Sequence, residues 1–298
     1  MDNIRSAPGI RKWRIGKVTA TRILEMDTLV IPPESMLKTS TGTVLEYDWL
    51  QSHYATPKGR LLTHTQAFVL EIGDLRIMVD PCIGNHKPRE GPAFFNMLNT
   101  PFLEHLGEAG FPPETIDVVL CTHLHLDHVG WNTRLENGKW VPTFPNARYL
   151  FSRIEFEHTK NDNRLKDDET FSDSVQPIVD AGLGQLVEFD HHIADEVWLE
   201  RSPGHTPGHC SIRISSEGHD AVVTGDMIHH AIQACEPDIC STFCFDEEQS
   251  RTTRRDFLTR YSDTGVLVLG THFCDPTGIH IRPDGDGWRF ETAETDTR

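Results

Sequence analysis

The chain is short of several things that would have set its class at once. No apolar run approaches 18 residues, so no membrane span is expected. The first residues, MDNIRSAPGIRKWR, carry basic side chains with no apolar segment behind them, so no secretory signal is read there and cytoplasmic residence is the expectation. Seven cysteines, an odd number without paired short spacings, suit a reducing compartment rather than a disulfide framework. Positive charge is also scarce: 28 Lys and Arg against 45 Asp and Glu give a net charge of −17. That balance argues against nucleic acid as a partner, since phosphate backbones need a basic track. The one dense basic stretch, Arg251 to Arg255, reads as the solvated face of a helix. Repeats and low-complexity tracts are lacking too. What remains is an ordinary globular composition long enough to bury a core.

The stretch that organises the chain is Val118 to Gly130, VVLCTHLHLDHVG. Its β-branched and apolar start predicts a buried strand. Four metal-capable side chains follow directly: His123, His125, Asp127 and His128. On an extended backbone His123 and His125 point the same way, whereas Asp127 and His128 fall where a helix is expected to begin. The spacing suggests two adjacent metal ions, one for each pair.

These residues resemble the HxHxDH motif of the metallo-β-lactamase superfamily. Gly204 to His209 (GHTPGH) resembles its second metal segment, Thr224-Gly225-Asp226 its third, and Gly270-Thr271-His272 its last. The four occur in the family's order over roughly residues 60 to 280. The resemblance implies an α+β fold, a four-layer αββα sandwich formed by residues 1–298 as a single domain, with the metals at one edge of the two sheets. It also implies a binuclear centre. His123, His125 and His205 would hold one ion, and Asp127, His128 and His272 the other. Asp226 would bridge them. Nitrogen-rich ligation without thiolate suits two zinc ions and tolerates iron, manganese or cobalt. Such a centre would activate a bridging hydroxide for hydrolysis, with Asp127, Asp226 and His229 as catalytic residues. Asp80 resembles the family's Asp beneath the metals, and His209 the histidine that orients a ligand from behind. His64 and His86 match no ligand position.

In lactonases of this superfamily a tyrosine stands three residues after the bridging Asp; here that place is His229, which can donate a hydrogen bond or a proton. Class B β-lactamases are exported, glyoxalase II-like thioesterases need a helical region after the last ligand segment, and flavodiiron proteins have Glu at the place of His125. The full ligand set also speaks against a mononuclear persulfide dioxygenase. The expected activity is therefore opening of lactones or cleavage of small carboxylic esters. The alternative is a phosphotriesterase or aryl-ester hydrolase with an aromatic cage drawn from Phe94, Phe95, Trp49 or Trp131. A third reading is a non-catalytic metal-binding module. Dimers are common among similar proteins, so a homodimer is an expected partner state. Residues 32–60 mix loop-forming Pro and Gly with apolar bulk, as in a lid, a subunit contact or a local packing cluster.

Strands or hairpins are further predicted at 13–31, 66–80, 147–151, 185–189, 196–200, 210–214, 221–224 and 266–270. Helices are predicted at 93–110 (broken at Pro101), 152–162 and 170–182 (interrupted at Pro177). The residues after Phe290 are polar and predicted to fray.

Overall fold

The computed structural model describes residues 9–89, 93–162 and 169–293. The ends of the chain, residues 90–92 and residues 163–168 lie outside the described residues. The strands are β1 (Arg11–Ile15), β2 (Val18–Ile31), β3 (Leu61–Ile72), β4 (Leu75–Val79), β5 (Val118–Leu120), β6 (Thr133–Glu136), β7 (Lys139–Pro142), β8 (Arg148–Ser152) and β9 (Gly184–Val187). After them come β10 (His192–Ala194), β11 (Val197–Arg201), β12 (Cys210–Ser216), β13 (His219–Val223), β14 (Leu267–Leu269), β15 (Gly278–Asp284) and β16 (Gly287–Thr292). They form two seven-stranded sheets, ordered β1-β2-β3-β4-β5-β8-β9 and β10-β11-β12-β13-β14-β15-β16, and a small hairpin, β6-β7.

Two compact units divide the chain. One holds Thr65–Val187 with the described residues up to Met26; the other holds Asp27–His64 with the described residues from Glu188. The first has a core of Ile23, Val69, Met78, Phe102, Val119, Trp131, Tyr149 and Phe151, among others. Strands β4, β5 and β8 run parallel, so helices must carry the chain back between strands. Phe102–Glu108 returns it from β4 to β5, and Arg153–Asn161 lies between β8 and β9. The segment 93–110 does break at Pro101, which caps the second piece, but its first piece is only the turn Ala93–Phe95. In the 170–182 region the break precedes Pro177. A wide turn, Phe171–Val175, gives way to the helix Gln176–Asp180 with proline in its first turn, where its missing N–H costs nothing.

The second unit packs Val222, Val268, Ile279 and Ile281 from its sheet against Phe257, Leu258 and Tyr261 of the helix Glu247–Tyr261. Leu37, Val44, Leu50 and Tyr54, from the segment 32–60, are buried in the same core. Strands β10, β15 and β16 were not anticipated, and β16 runs on to Thr292 where fraying was expected. The basic stretch needs a correction. Arg254 is fully buried rather than solvated, and its guanidinium donates to the carbonyls of Pro237, Met227 and Ile239. Only its neighbours Arg251 and Arg255 face outward, paired with Glu247 and Asp238.

Candidate metal centre

In the first unit Val79 of β4 pairs with Leu120 of β5, so the residues just past both strand ends come out side by side. Asp80 is the first of them. Its Oδ1 accepts from the Thr122 amide at 2.7 Å and its Oδ2 from the Thr122 hydroxyl at 2.8 Å. The Nδ1 of His128 lies 3.0 Å from the same Oδ2. The strand ends at Leu120, earlier than expected, and the chain bends through Thr122 and His123. Strand alternation is therefore not what aligns His123 with His125; the bend brings their rings to a centroid separation of 4.5 Å. The ring of His123 is 4.1 Å from that of His128. A one-turn helix, Leu126–Val129, then sets Asp127 and His128 on its first turn.

The second unit repeats the device. Val223 of β13 pairs in parallel register with Leu269 of β14, and Asp226 and His272 each stand three residues beyond. The two oxygens of Asp226 divide their neighbours. Oδ1 is 3.1 Å from Nε2 of His272, whereas Oδ2 is 3.3 Å from Nε2 of His205. Those separations match the edge of a zinc tetrahedron, about 3.3 Å for metal–nitrogen bonds of about 2.0 Å. His272 directs Nδ1 at the His64 carbonyl at 2.9 Å, which turns Nε2 toward Asp226. His205 directs Nδ1 at the thiol of Cys244 at 3.9 Å. Burial pushes that thiol above its ordinary pKa, so it stands there as neutral S–H.

His209 lies edge-on to the His205 ring, centroids 6.1 Å apart. It accepts from the backbone amide of Asp226 at 2.9 Å and binds the Ser202 hydroxyl at 2.8 Å, fixing the backbone that carries the carboxylate. His229 is buried, with Nε2 3.3 Å from Asp226 Oδ2 and its ring 4.8 Å from that of His205; neither of its ring nitrogens makes a hydrogen bond. His64 is buried beside Thr28, and His86 is exposed. The aromatic side chains named as candidates for a cage have these ring neighbours. Trp131 stacks on Phe102 in one core, Trp49 packs against Tyr54 and Phe290 in the other, and Phe94 pairs with Phe95.

Two groups of side chains have the donor set and spacing for a metal ion: His123, His125, His205 and Asp226, and Asp127, His128 and His272. Within each, the ligand atoms lie within 4.8 Å of one another. Buried imidazole and carboxylate donors without thiolate fit a hard-to-borderline divalent ion such as zinc.

Sequence reasoning missed the supports. Glu25 accepts from the amides of Ile83 and Gly84, the Thr100 hydroxyl and the Trp131 indole, tying together the segments that follow Asp80 and His128. Burial nevertheless raises its pKa. Gln233 accepts from the His229 amide, and Arg254 holds the carbonyl next to Asp226. None of these lies in a ligand motif. Glu25 and Gln233 stand as polar residues among apolar neighbours, and Arg254 within the basic stretch.

Parallel strands that deliver histidines and carboxylates in two groups define a class, α+β proteins built around metal-binding strand ends. The model of the metallo-beta-lactamase superfamily matches residues 61–292, and the chain belongs to that superfamily. The fold is the α+β metallo-β-lactamase fold. An N-acyl homoserine lactonase of Bacillus sp is 29% identical over 112 residues, 38% of each chain; the match thus spans about two fifths of such curated relatives. Two solved structures share the fold. The hydrolase AbOPH of the beta lactamase superfamily has a TM-score of 0.80 at 23% identity, covering 97% of this chain and 99% of that one. AidC, a dizinc quorum-quenching lactonase in complex with a product, has a TM-score of 0.79 at 20% identity, covering 96% and 98%.

Proposed function

We propose that this chain is a binuclear metal-dependent hydrolase that opens lactones or cleaves small carboxylic esters. The observation that carries the reading is the division of Asp226, one oxygen facing His272 and the other His205. A carboxylate can serve two ions in this way, whereas an imidazole with one nitrogen already engaged cannot. In this reading His123, His125 and His205 would hold one ion, Asp127, His128 and His272 would hold the second, and Asp226 would serve both. Bound there, two divalent ions, zinc by preference, would supply the Lewis acidity that acidifies a water and polarises the attacked carbonyl.

The chain's own residues do the rest. The His64 carbonyl keeps His272 in one tautomer, and the Asp80 carboxylate lies 3.0 Å from Nδ1 of His128. His209 and Arg254 hold the backbone on either side of the Asp226 carboxylate. His229 is the group to donate a hydrogen bond, or a proton, to the oxygen on which negative charge develops. The lactonases among the relatives support this substrate class. The charge of −17 favours neutral substrates over polyanions. All seven cysteines are thiols, which fits residence in the cytoplasm. No helix among the described residues is long and apolar enough to cross a membrane.

The test joins metal analysis to a substrate panel. Purified protein should carry about two transition-metal ions per chain and turn over lactones or carboxylic esters in preference to phosphotriesters and β-lactams. A preparation with two ions and no activity on lactones or esters would overturn the substrate class; one ion or none would overturn the binuclear site.

A further inference from the structure

The helix Arg153–Asn161 buries a single residue, and that residue is Glu155. Glutamate is almost never enclosed in this way unless something inside the fold is paired with it. Its position follows from the sheet. Leu150 of β8 pairs in parallel with Leu120 of β5, so the helix after β8 starts beside the ligand loop that follows β5. There Oε1 of Glu155 accepts from the Leu124 amide at 3.1 Å. Leu124 stands between His123 and His125, with its side chain buried in the core of the first unit. Past Cys121, whose amide still reaches the Leu150 carbonyl, the loop leaves the ladder and its buried amides need other acceptors. The Thr122 amide takes Asp80 on one flank of His123, and the Leu124 amide takes Glu155 on the other.

We infer that Glu155 is a positioning residue for the metal centre: by holding the Leu124 amide it sets the bend at which His123 and His125 present their rings to one ion. The inference rests on the hydrolase reading and its ligand assignment. It also makes the two proposed ion sites unequal. His123 and His125 flank the amide that Glu155 holds, whereas Asp127 and His128 stand on the helix Leu126–Val129, with Asp80 beside His128. Loss of the Glu155 contact therefore acts first on the ion that His123, His125 and His205 would share. Residues one step behind metal ligands typically carry about 10–100-fold in metal affinity. The buried Leu124 amide would also lose its acceptor, which opens the bend to exchange with solvent.

The experiment measures stepwise zinc affinity by chelator competition on the full chain, and hydrogen exchange of the peptide that spans Leu124. It compares the wild type with Glu155→Gln, Glu155→Asp and Glu155→Ala. Glutamine keeps an acceptor oxygen at the same reach, whereas aspartate keeps the charge and withdraws the oxygen by one methylene. The expected result is a loss of about 10–100-fold at one of the two zinc sites in Glu155→Asp and Glu155→Ala, with faster exchange at Leu124. Glu155→Gln should stay close to the wild type in both readings. Wild-type affinity in Glu155→Asp, a Glu155→Gln protein as weak as Glu155→Ala, or equal weakening of both sites would overturn the inference. Should Glu155→Ala fail to fold, the contrast between Glu155→Gln and Glu155→Asp decides alone. A wild type that holds fewer than two zinc ions would bring down the binuclear reading by itself. Exchange would then still decide the role of Glu155: Leu124 protected in Glu155→Gln and open in Glu155→Asp supports it, and equal exchange in the two refutes it.

Discussion

The imidazole of His230 donates from Nε2 to the carbonyl oxygen of Tyr54 at 2.7 Å, while its Nδ1 accepts from the Ile232 amide at 3.1 Å. Both ring nitrogens are used by the neutral ring, and burial pushes the pKa down to about 4. Above pH 6.5 the ring is neutral folded or unfolded, and its contribution to stability is complete. As pH falls from 6.5 toward 4 the unfolded chain takes up a proton that the folded one refuses, so stability is lost over that window. At 1.36 kcal/mol per unit the loss is roughly 3 kcal/mol. Urea midpoints taken from pH 7.5 to pH 4 should show this slope, reduced in His230→Gln. Parallel profiles for the two proteins would refute the assignment.

Gly130 and Ile83 meet at a distance that leaves no room for a side chain. A Cβ on Gly130 would fall 1.7 Å from the Ile83 carbonyl oxygen, although the backbone of Gly130 is itself helical. The closeness is needed because the Gly130 amide donates to Cys82 and the Trp131 amide to Pro81, clamping the segment after Asp80 against the helix that bears His128. Gly130→Ala should therefore destabilise the protein by at least 1–3 kcal/mol, the usual scale of overpacking, and weaken metal binding. Thermal melts and competitive metal titration read the two effects. Gly107→Ala serves as the control: its Cβ meets nothing within 4 Å inside the helix Phe102–Glu108, and it should be neutral or stabilising. Equal behaviour of the two variants would contradict the clamp.

Three of the four ligand segments were legible in the sequence because a short apolar strand precedes the His or Asp, a local pattern that survives without tertiary information. Val118–Leu120, His219–Val223 and Leu267–Leu269 are such strands. What was illegible came from distant pairings. The buried Lys87 donates to Thr133, lies 3.7 Å over the Trp140 ring and shares Asp173 with Arg89, yet nothing near residue 87 or 173 announces the other. Burial lowers the Lys87 pKa to about 8, and the carboxylate opposes that shift. Arg254 misled for the same reason. A charged run at helical spacing reads as solvent-facing, but three backbone carbonyls on a loop that the sequence does not place turned one of its members inward. The bend at Thr122 was hidden by a histidine spacing that fits a strand equally well.

His229 is where the chain departs from the lactonase pattern, and its surroundings allow the departure to be tested. The ring is fully enclosed, its backbone amide is fixed by Gln233 at 2.8 Å, and Asp226 Oδ2 lies 3.3 Å from Nε2. A group that donates to the developing charge raises kcat without being needed to hold metal, whereas a ligand would be needed for both. His229→Ala should thus keep about two metal ions per chain while kcat falls by about 10²–10⁴, the range for loss of a general acid or a charge-stabilising donor. His229→Tyr returns an O–H donor to the same place and should recover part of the loss, and Phe at this position should not. Loss of a metal ion in His229→Ala would instead make His229 a ligand. A kcat within threefold of the wild type would remove it from the chemistry.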